Sequence, residues 1–336
     1  METMELEVWS GDWGLPSIDS DCLQILAYAK FVGLPMKVVT HNNPYRTPHG
    51  RFPVLRDGTT TVDTIPEIVK HLRTKNYGLG HARDGCSECG IASAYEAMLT
   101  SSLLPALLFV RWRDTRNMDQ LLRPWYSKKM PFLINFYYLG RYEKEAIAFF
   151  DGLHPTEDDT RIETTVYSHA YVCLTMLSSK LKDAKYFFGS TPTEIDALLY
   201  SYLAPILYIP FPSAALQSHL KACKNLVEYV TRISNKYFTH EFKSYEQQKR
   251  AEDTKAMAKN LNDDYPNKRR NQLLAGLFVT SAMASYALST GIVEIQKRIL
   301  AFACLSFSRI LYFEKLLIFK IIHKYVLFFY FCYIFS

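Results

Sequence analysis

The residue types and spacings that could do chemistry in this 336-residue chain fall in a few places. Cys86-Ser87-Glu88-Cys89, with His81 five residues upstream, has the spacing of a redox pair or of half a zinc site. Zinc needs about four ligands, and no second Cys-x-x-Cys or paired His stands nearby, so no metal site is expected. A redox pair in a thioredoxin-like fold belongs at the turn after the first strand, where a helix N-terminus lowers the thiol pKa. That turn, residues 10–17, holds no cysteine, and Cys22 falls within the following helix. Ser10, Ser17 and Ser20 are hydroxyls placed to activate a thiol such as glutathione, yet hydroxyls at helix starts are among the commonest caps. Gly-x-Ser-x-Gly, His-Glu-x-x-His, phosphate-loop and Gly-x-Gly-x-x-Gly patterns are all missing, and the nine His have no acidic partners at motif spacing. Neither catalysis nor a cofactor is expected. The aromatic clusters Tyr137-Tyr138, Phe149-Phe150 and Tyr186-Phe187-Phe188 read as core packing.

The elements that must position these groups are read from pattern. Residues 6–9 form a strand that ends in Ser10-Gly11-Asp12; Asp19 or Ser20 caps a helix with Leu23, Leu26, Ala27 and Phe31 at helical spacing; Gly33 and Pro35 stop it. Residues 36–40 read as a second strand, parallel to the first. The stretch 42–52 is too broken by Pro and Gly for a full helix. Strands at 54–55 and 59–62 flank an Asp57-Gly58 turn, and a helix over 65–73 opens with Pro66. The result is an α/β domain with a mixed four-stranded sheet, residues 1–76. Helical periodicity then covers 91–110, 118–126, 160–181, 194–208 and 214–237, an all-helical domain over 77–238. Residues 239–267 are strongly polar and predict a solvated helix or a flexible linker, with 239–270 as linker and basic flank.

Apolar residues make up 49% of the chain and charged residues 21%, which excludes a disordered chain and a polytopic membrane protein. Seven scattered Cys form no disulfide framework and fit a reducing, cytosol-facing environment. Residues 1–267 hold 30 basic and 31 acidic side chains, so the net +6 belongs to the last 69 residues and no nucleic-acid face is expected. Residues 273–293 are 21 without a charge, flanked by Lys268, Arg269 and Arg270 before and by Lys297 and Arg298 after. At about 1.5 Å per residue this length just crosses a hydrocarbon core, so 271–296 is expected to be a transmembrane anchor. Leu273, Leu277, Ser281, Ser285, Ser289 and Val293 step along it four residues apart. The N-terminus shows neither a signal peptide nor a mitochondrial transit peptide.

The combination of halves resembles the glutathione S-transferase architecture: a thioredoxin-like α/β domain, an all-α domain and, here, a C-terminal transmembrane helix. Arg51-Phe52-Pro53-Val54-Leu55 looks like that fold's segment in which a cis-proline precedes the third strand. Phe187-Phe188-Gly189 through Thr193-Glu194-Ile195-Asp196 resembles its helical capping box. Within the superfamily, Trp9-Ser10-Gly11, Trp13-Gly14-Leu15-Pro16-Ser17, Leu103-Leu104-Pro105, Arg123-Pro124-Trp125-Tyr126, Pro131-Phe132 and Arg269-Arg270-Asn271-Gln272-Leu273 resemble the metaxin family, over residues 4 to about 296. The resemblance implies a tail-anchored protein of the mitochondrial outer membrane with its body in the cytosol. It implies a non-enzymatic role in protein import and β-barrel insertion. The partners implied are a second metaxin, the outer-membrane β-barrel assembly core, precursor proteins and cristae-organising complexes. Where glutathione-binding relatives hold the γ-glutamyl group, this chain has Asp63-Thr64, so Ser17, Pro53, Asp63 and Thr64 are a remnant glutathione site. Two other readings stand beside this one: a membrane-anchored glutathione-dependent transferase, and an adaptor for mitochondrial transport. The apolar tail 297–336 resembles nothing in metaxins; it reads either as a second membrane segment or as translated non-coding or alternatively spliced sequence.

Overall fold

The computed structural model describes residues 4–79, 87–153, 155, 158–262 and 268–289. His81, Cys86, Val293, Lys297, Arg298 and the tail from residue 297 lie outside the described residues. Contacts divide the chain into two units, Met1–Thr254 and Lys255–Ser336.

In the first unit, β1 (Glu5–Trp9), β2 (Lys37–His41), β3 (Val54–Asp57) and β4 (Thr60–Val62) form one mixed sheet in the order β2-β1-β3-β4. β1 runs parallel to β2, with Leu6 opposite Val38, and antiparallel to β3, with Leu6 opposite Leu55. Side chains alternate along a strand. Leu6 and Val8 therefore turn to one face, where they share a core with Leu23, Leu26, Ile68 and Leu72 of α1 (Ser20–Phe31) and α2 (Ile65–Thr74). Glu5, Glu7 and Trp9 turn to the other face, where Glu7 accepts from Arg56 at 2.8 Å. The Asp19 carboxylate caps α1 by accepting from the Cys22 amide at 3.1 Å. Eight of the twelve residues of α1 are buried, as befits a helix with a sheet on one side and a second layer on the other. Between β2 and β3 the chain makes only a short 3-10 turn, Pro44–Arg46, and the Phe52-Pro53 bond is cis.

The second layer is helical. α3 (Ser87–Met98), a wide π turn at Leu99–Leu103, α4 (Leu104–Leu108) and a second π turn at Phe109–Arg113 run on without a break. The expected 91–110 helix is thus longer, and it passes through Pro105 because the preceding π turn puts that proline in the first turn of α4, where its missing N–H costs no helix bond. By length and composition Gly90–Arg113 is the one run wholly among the described residues that could cross a membrane, residues 290–293 lying outside them, yet Leu99, Leu103, Ala106, Leu107, Phe109 and Val110 on it are buried in the body. α5 (Thr115–Asn117), α6 (Arg123–Lys129) and α7 (Phe132–Leu153) follow, then α8 (Asp159–Leu181), α9 (Glu194–Tyr208), α10 (Ala215–Ala222), α11 (Lys224–Tyr237) and α12 (Thr239–Asn262). α9 is the layer that packs along α1.

Two elements differ from the sequence reading. α7 was not anticipated, since aromatic residues occupy both of its faces: Tyr138 and Phe150 are buried while Tyr137 and Phe149 are exposed. The single helix expected over 214–237 is two, broken at Cys223, whose backbone (φ −85°, ψ 77°) is not helical. Of the two alternatives for the polar stretch from 239, the solvated helix is the one found, running to Asn262.

The capping box forms around a fully buried carboxylate. Asp196 Oδ2 accepts from Thr193 N at 2.8 Å and from Thr193 Oγ1 at 2.7 Å; Oδ1 accepts from Phe187 N and Tyr229 OH, both at 2.8 Å. In the second unit α13 (Lys268–Ser289) begins with Lys268, Arg269 and Arg270 and carries Leu273, Leu277, Ser281, Ser285 and Ser289. Its longest apolar run is Gln272–Met283, and Leu273, Leu277 and Phe278 are 70%, 66% and 75% exposed.

Candidate functional site

In open α/β sheets ligands sit beyond the carboxyl ends of the strands. Here that position is the β1–α1 loop, residues 10–19, and side chains fill it. Trp9, the last residue of β1, meets Phe52 at a ring separation of 5.4 Å, Tyr126 at 5.8 Å and Tyr138 at 5.2 Å. Tyr138 in turn meets Tyr142 at 4.5 Å, and Trp112 meets Tyr142 at 4.9 Å. Each such pair adds about 0.5–1.5 kcal/mol beyond its area. Phe52 comes from the β2–β3 loop, Trp112 from the second π turn, Tyr126 from α6 and the other tyrosines from α7, so the α6–α7 hairpin covers the sheet face opposite α1. Burial pushes the Tyr126 and Tyr138 hydroxyls far above the ordinary tyrosine range and that of Tyr142 up to about 12; all three stay protonated and are no bases at neutral pH.

The predicted hydroxyls are placed as structural groups. Ser17 is fully buried and its Oγ accepts from Asp19 N at 3.3 Å. Ser20 Oγ accepts from Nη1 of Arg111 at 3.3 Å, and Arg111, on the second π turn, is itself only 5% exposed. Ser10 Oγ is buried without a partner. Pro53 is buried beneath the loop. Asp63 is held by the His49 ring, and Thr64 Oγ1 donates to Glu67 at 2.9 Å in the first turn of α2. Of the four remnant positions, Ser17 and Pro53 are buried, while Asp63 and Thr64 keep only local partners near the surface.

Two of the described cysteines belong to the core, and Cys223 is half-buried. Cys22 and Cys173 are buried, and burial drives the Cys22 thiol well up and that of Cys173 to about 12. Cys89 lies in α3, while its Cys-x-x-Cys partner Cys86 is outside the described residues. Among the described residues no group of His, Cys, Asp and Glu is assembled to hold a metal.

What the residue patterns did not single out is the outer side of the same loop. Gly11 has no room for a side chain: a Cβ there would lie 2.0 Å from the Leu15 carbonyl oxygen. The chain then turns through Trp13 and Gly14, at φ +53° and +82°. Asp12 holds the turn, its Oδ1 accepting from Trp13 N at 2.8 Å and its Oδ2 from Trp125 Nε1 at 2.6 Å. The Trp13 and Trp125 rings lie 5.8 Å apart. Phe242 of α12 closes on this loop, 2.8 Å from where a Gly14 Cβ would be, and also meets Tyr208 at 4.8 Å. The density of tryptophan in Trp9-Ser10-Gly11-Asp12-Trp13, two of the chain's four, was the available signal.

Comparison with known proteins agrees with this architecture. Residues 22–143 match the Tom37 family, described as an outer mitochondrial membrane transport complex protein, and residues 170–233 match the glutathione S-transferase C-terminal domain. The crystal structure of the β-etherase LigF from Sphingobium superposes with a TM-score of 0.51 at 11% identity, covering 72% of this chain and 99% of that one, a likeness of fold. Metaxin-3 of Xenopus laevis is 36% identical over 238 residues, 70% of this chain and 77% of its own length. Metaxin-1 of Macaca fascicularis is 39% identical over 301 residues, 88% of this chain and 92% of its own length. With that identity over nearly its whole length, and a glutathione S-transferase-like fold beneath it, the chain belongs to the metaxin family.

Proposed function

We propose that this chain is a non-enzymatic docking subunit of the protein import and assembly machinery of the mitochondrial outer membrane. In this reading the body faces the cytosol, residues 273–293 anchor it, and it supports β-barrel insertion. Its partners are a second metaxin, the β-barrel assembly core and precursor proteins, with cristae-organising complexes beyond them. The observation that carries the reading is the filled end of β1. Where a transferase of this fold needs an open hollow and an exposed hydroxyl, Trp9, Phe52, Tyr126 and Tyr138 pack together and Ser17 is buried. A strand end closed to a co-substrate leaves the body's surface as what it has to offer. The anchor draws support from α13, whose apolar side chains are exposed all round and whose first turn is Lys268-Arg269-Arg270.

The test is removal of residues 271–336. The body should leave the mitochondrial fraction in cells lacking the partner metaxin; undiminished mitochondrial retention there would refute the anchor. Retention of the full chain on glutathione resin, abolished by Ser17→Ala, would replace the docking reading with the transferase one.

A further inference from the structure

The outer side of the β1–α1 loop forms one wall of a groove of about 620 Å³, whose other walls are α6 with the turn before it and the middle of α12. The size lies within the range of binding sites that enclose a ligand or a short peptide segment. Trp13, Leu121, Pro124 and Tyr245 give it an apolar lining, and three ammonium groups, of Lys128, Lys129 and Lys249, stand at its rim. Lys128 and Lys249 are exposed and form no ion pair among the described residues, while Lys129 sits 5.8 Å from the centre of the Trp125 ring. Two carboxylates oppose them: Glu252 at one end, and Asp12, whose two oxygens are already occupied by Trp13 N and Trp125 Nε1. A smaller pocket of about 230 Å³ shares Asp12, Lys129, Tyr245 and Gln248 and continues the groove; it brings a third carboxylate, Glu241, so the excess of positive charge is confined to the larger groove around Lys128 and Lys249. The wall is also built at a cost, since Trp13 is held at positive φ, a conformation that a bulky side chain rarely adopts.

We propose that this groove binds an acidic polypeptide segment carrying an aromatic side chain, supplied by a partner protein. The aromatic group packs on Trp13 and Pro124, and carboxylates meet Lys128, Lys129 and Lys249. The proposal rests on the docking reading and gives one docking surface its chemistry.

The test uses the full chain in phosphatidylcholine nanodiscs and two fluorescein-labelled ten-residue probes, one alternating Glu and Ser around a central Phe and one with Lys for each Glu. The acidic probe should bind at least about tenfold more tightly than the basic one, and the Lys128→Gln/Lys249→Gln variant should weaken it by about tenfold. Its affinity should fall with added salt. Both lysines are exposed, so the variant should melt with the parent chain. Equal binding of the two probes, an unaffected double variant, or displacement by inorganic phosphate or phosphatidylserine vesicles as readily as by unlabelled probe would overturn the proposal. Complex capture from membranes reads the docking role separately: capture without probe binding sinks the groove alone, and probe binding without capture sinks the docking role alone.

Discussion

Replacing Asp196 by Asn separates hydrogen bonding from packing in the helical core. The carboxylate is fully buried and accepts from two amides and two hydroxyls at 2.7–2.8 Å. Asn keeps the volume but offers one acceptor oxygen, so its NH2 faces either the Thr193 pair or the Phe187 and Tyr229 pair; the hydroxyl of that pair can turn and accept, while its amide N–H is left donor against donor. Hydrogen bonds to a charged acceptor contribute about 1.5–3 kcal/mol each, and buried donors left unsatisfied cost about 1–3 kcal/mol each. Losing one of the four outright and weakening the other three from a charged to a neutral partner, offset by relief of the buried charge, gives a net cost of about 3–5 kcal/mol. For a body of this size each kcal/mol moves the melting temperature by about 2–4 °C, so Asp196→Asn should lower it by about 6–20 °C. The assay is thermal unfolding of the full chain in detergent, followed by tryptophan fluorescence. Asp196→Ala should cost about as much as Asn, and Thr193→Ala, losing one donor and the cap, about 1 kcal/mol. An Asn variant within about 1 kcal/mol of the parent would refute the hydrogen-bond account and leave shape alone as the reason for this residue.

Other perturbations probe the loop and the sheet. Arg111→Ala leaves a cavity and strands the polar groups around a guanidinium only 5% exposed; it should cost about 3–5 kcal/mol, whereas Arg111→Met, which fills the space, should cost about 1 kcal/mol in chemical denaturation. Gly14→Ala should cost about 1–3 kcal/mol and quicken trypsin cleavage at Lys243 and Lys249, because a Cβ at φ +82° also displaces Phe242 of α12. Ser17→Ala should change stability by less than about 1 kcal/mol, its one long bond being to Asp19 N. Asp57 pairs with His71 at 2.8 Å and Lys75 at 3.1 Å, which hold its carboxyl below the usual range. Its folded pKa is lowered, so its contribution is complete above about pH 4 and is lost as pH falls through the lower folded value; Asp57→Asn should flatten that acid limb in melting curves recorded against pH.

The parts of the fold legible in sequence were those whose signals are local. The four strands, the Asp57-Gly58 turn, the Asp19 cap and the Thr193–Asp196 box each depend on residues within a few positions of one another. α7 was illegible because Tyr137-Tyr138 and Phe149-Phe150 put aromatic residues on both faces and blur the 3.6-residue period. Arg111 was illegible for the opposite reason, since an arginine is read as surface unless its partner is known, and Ser20 lies 91 residues away. The loop was noticed for its hydroxyls, yet the structure spends those on the interior and presents Trp13 outward. The groove needed three segments more than a hundred residues apart, and no local pattern announces such a meeting.

The role proposed for this body is that of a docking surface on the mitochondrial outer membrane. Crosslinking of isolated outer membranes, capture of the full chain and identification of its direct neighbours test it most directly. A docking subunit should crosslink to a second metaxin and to the β-barrel assembly core. A chain recovered from the membrane without either neighbour, at crosslinker doses that join the core's own subunits, would contradict it.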